Sequence, residues 1–273
     1  MKKPFTLKSR KSKSLNGIIF VPSDKSISIR ALIISSLCLG NSKIFNLLES
    51  EDVKHTLKSL KELGVKILKK KKYYEVYGEG GLYKKPKKRL YLGNSGTGVR
   101  LITGLLASRG LNITLVGDDS LSSRPMKRII EPLELMNLTV QSKKGCLPLK
   151  IVNKNKVPIP IDYNLKIGSA QIKSAILLAS TNIKGTTTIL EKFPSRNHTE
   201  IMLKFFGADI NKKGKKITIN SPNFLKPKDL IIPGDFSSAA FLIVATLITK
   251  NSKLKIQEVG LNFYRTGLLD VLN

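Results

Sequence analysis

Four short segments share one chemical design. Pro22-Ser23-Asp24-Lys25-Ser26-Ile27-Ser28-Ile29-Arg30, Leu92-Gly93-Asn94-Ser95-Gly96-Thr97-Gly98-Val99-Arg100 and Gly168-Ser169-Ala170-Gln171-Ile172-Lys173 each run a turn of small residues into an apolar helix that carries a cation in its first turns. Gly234-Asp235-Phe236-Ser237-Ser238-Ala239-Ala240 has the same turn and helix without the cation. A helix start presents unpaired backbone N–H groups and the positive end of the helix dipole, so each copy suits a phosphate or a carboxylate. With Lys25, Arg30, Arg100 and Arg124 close by in sequence, the chemistry predicted is binding of more than one anionic small molecule.

The residues give this site its detail. Lys25 stands at a helix mouth with Ser26 beside it and Arg30 one turn in, so ammonium, hydroxyl and guanidinium are predicted to converge on one anion. Gly96, in the run Asn94-Ser95-Gly96-Thr97-Gly98, lets a ligand approach the backbone closely. No Gly-Lys-Ser/Thr follows, so this is not a phosphate-binding loop of the Walker type. Arg124 precedes Pro125, read as the first helical position, and its planar fork fits a carboxylate. Ser169 and Gln171 add neutral donors at a third helix start. Ser195-Arg196-Asn197-His198-Thr199-Glu200 is a polar approach to another helix.

Composition narrows the function class. The 273 residues carry 48 Lys and Arg against 19 Asp and Glu, a formal charge of +29, yet only nine of the cations are Arg. Lysine is spread from end to end, which favours a compositional bias over a nucleic-acid face, where Arg would concentrate. Cys38, read as lying inside a helix, and Cys146 are too far apart for a CxxC site, and the histidines His55 and His198 are the chain's full set. Neither a disulfide framework nor a metal site is predicted. No apolar run reaches the roughly 20 residues of a membrane span. Residues 1–15 read as a basic tail without the apolar region of a secretory signal, and a cytoplasmic location is expected.

The elements that must position these residues repeat. A strand over 16–21 leads to a helix over 26–39 with Gly40 as its cap, then a helix over 51–63 stopped by Gly64 and a hairpin over 65–77. The second round has strands at 89–92 and 113–116, helices over 97–107 and 126–136, and a hairpin opening at 138–140. The third has strands at 165–167, 185–190 and 216–220 and helices over 169–178 and 198–206. Each round reads β-α-β-α-β-β over roughly 70 residues, longer than ordinary solenoid repeats. Three rounds predict one α/β domain over 16–232, with the Pro-rich stretch 221–233 as a linker. A fourth round over 233–273 begins a second domain and does not finish it.

At this depth the motifs carry a resemblance. Pro-Ser-Asp-Lys-Ser-Ile-Ser-Ile-Arg-Ala-Leu, Gly-Asn-Ser-Gly-Thr-Gly-Val-Arg, Ser-Arg-Pro-Met, Ser-Ala-Gln-Ile-Lys-Ser, Ser-Arg-Asn-His-Thr-Glu and Pro-Gly-Asp-Phe-Ser-Ser-Ala-Ala stand in order from Gly17 to Arg265. Together they resemble the 5-enolpyruvylshikimate-3-phosphate synthase family, in its class II form. The resemblance implies an enolpyruvyl transferase-like fold of the inside-out α/β barrel type, with one complete domain and part of a second. It implies transfer of the enolpyruvyl group of phosphoenolpyruvate to the 5-hydroxyl of shikimate 3-phosphate, in aromatic amino acid biosynthesis, without metal or organic cofactor. Lys25, Ser26, Arg30, Ser169, Ala170, Gln171, Ser195 and Arg196 match shikimate 3-phosphate contacts. Lys25, Asn94, Gly96, Arg124 and Gln171 match phosphoenolpyruvate contacts. Ala often replaces Gly96 in glyphosate-insensitive members, so Gly96 implies a site open to glyphosate.

The chain also departs from the family pattern. It stops early in the family's second domain, before the acid/base Asp, which would lie beyond Asn273. A C-terminally truncated chain is the expectation, with a separate C-terminal half as a possible partner and otherwise a monomer. The Asn-x-Thr-Arg element reads Asn262-Phe263-Tyr264-Arg265, without its Thr. Two other readings compete: a non-catalytic basic domain that binds anions or nucleic acid, and the sibling that uses UDP-N-acetylglucosamine. The sibling needs a reactive Cys on a mobile loop, which Cys38 and Cys146 do not supply.

Overall fold

The small polar residues of the recurring segments act first as helix caps. In the computed structural model, which describes all residues except 1–5, 7, 9, 223 and 273, Asp24 Oδ1 accepts from the Ile27 amide at 2.8 Å. Ser95 Oγ accepts from Gly98 N at 3.1 Å, Ser169 Oγ from Ile172 N at 3.4 Å and Asp235 Oδ1 from Ser237 N at 2.8 Å. Each cap satisfies one of the orphan donors of a helix start; at α3 a second, the Gly96 amide, donates to Asn94 O at 2.9 Å.

In chain order the elements are β1 Asn16–Phe20, α1 Lys25–Ser36, β2 Leu39–Phe45, α2 Glu51–Glu62, β3 Lys66–Lys69, β4 Tyr73–Glu79, β5 Leu90–Tyr91, α3 Gly96–Ala107 and β6 Ile113–Val116. There follow α4 Asp119–Ser122, α5 Lys127–Leu135, β7 Thr139–Lys143, β8 Cys146–Val152, β9 Asp162–Leu165, α6 Ala170–Ser180, β10 Gly185–Glu191 and α7 His198–Phe205. The remainder are β11 Ile210–Lys213, β12 Lys216–Ser221, β13 Leu230–Ile231, α8 Phe236–Ile248, β14 Lys253–Gln257 and α9 Gly267–Leu272. Two compact units divide the chain, one over Ser23–Ile232 and one built from residues up to Pro22 and from Pro233 onward.

The larger unit holds three four-stranded sheets of one design: β13-β2-β4-β3, β5-β6-β8-β7 and β9-β10-β12-β11. In each, the first strand runs parallel to the second and the remaining pairs are antiparallel. The helices α1, α3 and α6 are buried almost along their length, Ile29, Leu32, Val99, Leu101, Ala175 and Leu177 being fully covered. Their apolar residues run all round the helix, as a helix enclosed by protein requires. Helices α3 and α6 pack backbone to backbone at Gly104, where a Cβ would lie 2.4 Å from the Ala175 carbonyl oxygen. α2, with Val53 and Leu60 buried and Glu51, Lys54 and Lys61 exposed, is an amphipathic outer helix.

The structure corrects several expectations. The predicted opening strand, β1, does not pair with the first round; it lies parallel to β14 from Asn16↔Lys253 to Phe20↔Gln257. The parallel place beside β2 is taken by β13, so the stretch read as a linker supplies a strand to the larger unit. Residues 16–22 thus belong to the unit formed with residues from 233, and the expected 16–232 domain begins at Ser23. Gly40 is no helix cap: α1 ends at Ser36 with Leu37 as its C-cap, and Gly40 lies in β2 at φ +121°. Cys38 lies in the turn between α1 and β2 rather than inside a helix. Pro125 precedes the cap Met126 instead of opening α5. Strands β2 and β11 and helix α4 are not among the segments read from the sequence.

In the smaller unit α8 is uncharged and mostly apolar yet buries only Phe236 and Ala239, and Phe241 and Ile248 remain 80% exposed. Among the described residues no helix is long and apolar enough to cross a membrane, and no group of three or more His, Cys, Asp or Glu could hold a metal ion.

Candidate anion-binding site

Three of the recurring helix starts meet at one place. Lys25 from α1, Gly96, Thr97 and Arg100 from α3, and Gln171 from α6 line an open cavity of about 410 Å³ with Asn94, Arg124 and Asp52. The lining carries three cations and one carboxylate. The fourth segment, at α8, belongs to the smaller unit.

Arg100 is the buried cation of the set, 6% exposed. Its Nη1 donates to Gly96 O at 3.2 Å and to Gln171 Oε1 at 2.9 Å, and its Nη2 to Pro125 O at 3.2 Å. Burial, then the charges of Arg128 and Arg124, press its pKa below the ordinary value. Cations that repel one another in a partly desolvated space are relieved by an anion between them. Gln171 is fixed from both ends, since its Nε2 donates to Thr97 Oγ1 at 3.1 Å. Arg124 donates to Asn94 Oδ1 and, at 3.3 Å, to Ser120 Oγ. Gly96 lies under both guanidinium groups, for a Cβ there would sit 3.0 Å from Arg124 Nη1 and 3.1 Å from Arg100 Nη1. Lys25 Nζ is held at 2.8 Å by Asp52 Oδ2.

Not every predicted residue reaches this cavity. Arg30, expected to converge with Lys25 and Ser26 on one anion, is 3% exposed and turned inward. Its Nε donates to Thr199 Oγ1 at 2.7 Å, its Nη1 to Ser26 O at 2.9 Å and its Nη2 to Ser174 Oγ at 3.1 Å. A guanidinium so deep in the protein must find acceptors there. Arg30 thereby joins α1 to α6 and α7. Ser26, Ser169 and Ala170 occupy the same helix starts as the lining residues without lining the cavity themselves. Ser195 and Arg196 stand on the loop from β10 to α7, where Ser195 Oγ donates to Glu191 Oε1 at 2.7 Å. Asp52 and Thr97 are lining residues that sequence reasoning did not select. Asp52 gave no signal beyond an acid in a first helical turn, which the helix dipole already explains.

Behind the site is a buried ionic cluster. Lys173, with no exposed side-chain surface, pairs with Glu191 at 2.8 Å and Glu200 at 2.7 Å. Burial pushes the Glu200 carboxyl above its usual range, a rise that Lys173 only partly offsets.

Fold and cavity together define an α/β protein of repeated units that gathers three helix starts and three cations around one open cavity. The sequence matches the family of EPSP synthases (3-phosphoshikimate 1-carboxyvinyltransferases) over residues 9–273, and the chain belongs to that family. It is 43% identical over 262 residues to the 3-phosphoshikimate 1-carboxyvinyltransferase of Streptococcus mutans, covering 94% of this chain and 61% of the relative. The enzyme of the same name from Oceanobacillus iheyensis is 44% identical over 265 residues, covering 96% of this chain and 61% of the relative. Two structures of EPSP synthase from Acinetobacter baumannii superpose with TM-scores of 0.89 and 0.88 at 38% identity, covering 96% of this chain and 60% of theirs. The fold is therefore the enolpyruvyl transferase fold, and the chain spans about 61% of the length of the curated relatives it matches.

Proposed function

We propose that this chain supplies the substrate-binding part of a 3-phosphoshikimate 1-carboxyvinyltransferase, which transfers the enolpyruvyl group of phosphoenolpyruvate to the 5-hydroxyl of shikimate 3-phosphate and releases phosphate. The observation that carries this reading is the cavity where Lys25, Arg100 and Arg124 surround Gly96 and Gln171. Lys25, Asn94, Gly96, Arg124 and Gln171 receive phosphoenolpyruvate, whose carboxylate and phosphate need such cations. Ser26, Arg30, Ser169, Ala170, Gln171, Ser195 and Arg196 hold shikimate 3-phosphate next to it, with Lys25 touching both. For Arg30, which is 3% exposed, this requires its guanidinium to become accessible to the ligand. Holding two anions side by side supplies proximity, and the cations stabilise charge as the bond to phosphate breaks.

The acid/base group of the reaction belongs to the part of the family's length that this chain does not span. In this reading the unit Ser23–Ile232 is the substrate domain, residues from 233 open a second domain, and turnover needs the remainder, supplied as further sequence or as a separate polypeptide to an otherwise monomeric chain. Cytoplasmic location follows from the same proposal, since phosphoenolpyruvate is a central metabolite there.

The experiment is calorimetric titration of shikimate 3-phosphate into the purified chain at about 0.15 M salt, which screens surface charge. Saturable binding that requires the phosphate and is lost in Lys25→Ala is expected. Equal, weak binding of shikimate and of any anion would reject the reading.

A further inference from the structure

Lys173 follows Gln171 by two residues on α6, so at about 100° per residue it faces roughly away from the cavity that Gln171 lines. Its ammonium is directed at the loop between β10 and α7: Nζ donates to Ser195 O at 3.3 Å and to Glu191 Oε1 at 2.8 Å. The same Glu191 oxygen accepts from Ser195 N at 3.2 Å and from Ser195 Oγ at 2.7 Å. Lys212 Nζ stands 3.6 Å from the other Glu191 oxygen. Carbonyl, amide and hydroxyl of Ser195 are thus all tied into the cluster, whereas Lys192, Phe193 and Pro194 just before it are exposed.

We propose that Lys173, acting through Glu191, is a positioning residue that sets the Ser195–Arg196 segment at the distance from the α6 start needed to grip the phosphate of a sugar phosphate. This rests on the reading above, in which Ser195 and Arg196 contact that phosphate. Stability alone does not explain the cluster, because an apolar set of similar volume would fill the gap without desolvating three charges. What charge adds is direction: every donor at Glu191 Oε1 comes from Lys173 or Ser195. The arrangement also gives Ser195 two states. With its hydroxyl proton committed to Glu191 it has none to offer a phosphate dianion, and binding must turn that proton outward. Lys173 and Lys212 neutralise the carboxylate left behind, so the turn does not strand a buried charge.

The test compares affinities of the full chain for shikimate 3-phosphate and for unphosphorylated shikimate, in wild type and Lys173→Met. Loss of the positioning effect should lower the preference for the phosphorylated ligand by about tenfold, the scale of one hydrogen bond to a charged group, and leave shikimate binding within about twofold. Ser195→Ala should then add little in the Lys173→Met background. If Lys173→Met does not fold, as judged by its thermal melt, Glu191→Gln serves in its place, since it keeps an acceptor for Ser195 while removing the charge. An unchanged preference, or equal loss of both ligands, overturns the proposal. Absence of phosphate-dependent binding in wild type overturns instead the functional reading beneath it.

Discussion

At the scale of single residues, the site is decided by what stands against Gly96. Its missing side chain leaves room beneath two guanidinium groups, each already tied down: Arg100 by Gly96 O, Gln171 and Pro125, Arg124 by Asn94 and Ser120. A methyl group there, 3.0 Å from one and 3.1 Å from the other, would displace either the cations or the ligand. Gly96→Ala is therefore expected to weaken glyphosate binding at least tenfold, about 1.4 kcal/mol, with shikimate 3-phosphate binding nearly unchanged. Calorimetry with the rest of the family's length supplied checks this, and equal glyphosate affinity in both proteins would refute it. Glu200 yields a pH prediction. Burial raises its folded pKa above the ordinary 4.5, so the folded chain holds this proton more tightly than the unfolded chain does. Its contribution favours folding below 4.5 and is lost as pH climbs through the folded value. Glu200→Gln should thus gain stability relative to wild type as pH rises from the ordinary 4.5 towards neutral in chemical denaturation. A constant difference across that range would show that burial does not govern Glu200.

At the scale of elements, the close approach of α3 and α6 places Arg100 and Gln171 in hydrogen-bond contact. Gly104 makes that approach possible, since a Cβ there would meet Ala175 O at 2.4 Å and Ala175 Cα at 2.6 Å. Backbone cannot yield as a long side chain can. Gly104→Ala is expected to cost roughly 1–3 kcal/mol of stability, read as a lower urea midpoint, and to weaken anion binding by moving Gln171 from Arg100. The helices α1, α3 and α6 were legible, because turns of small residues precede them and the apolar runs that follow Arg30, Arg100 and Lys173 carry no further charge. Strands were less so. Leu39–Phe45 contains Gly40, Asn41, Ser42 and Lys43, with no alternation to mark it, and becomes a strand because β4 and β13 lie on either side of it.

At the scale of the whole molecule, the two units differ in how much of their apolar surface they cover. In the unit Ser23–Ile232, α1, α3 and α6 are enclosed, whereas α8 of the smaller unit leaves Phe241, Leu247 and Ile248 62–80% exposed. Opening free energies follow buried apolar contact. Amide hydrogen exchange should accordingly be orders of magnitude faster in α8 than in α1, α3 and α6. Matching rates would mean that α8 is covered in solution.

The sequence by itself determined the starts of α1, α3 and α6 to within a residue, the cations beside them and the family, because each is written in a few adjacent residues. Tertiary structure alone decided which strand closes the first sheet, where β13 from near residue 230 displaces the expected β1. It also decided that Asp52 meets Lys25 and that Arg30 turns inward to Thr199 and Ser174. Strand pairing is set by a ladder of backbone groups common to all residues, and a buried cation's acceptors by whichever elements pack against it. Neither leaves a local pattern in the chain.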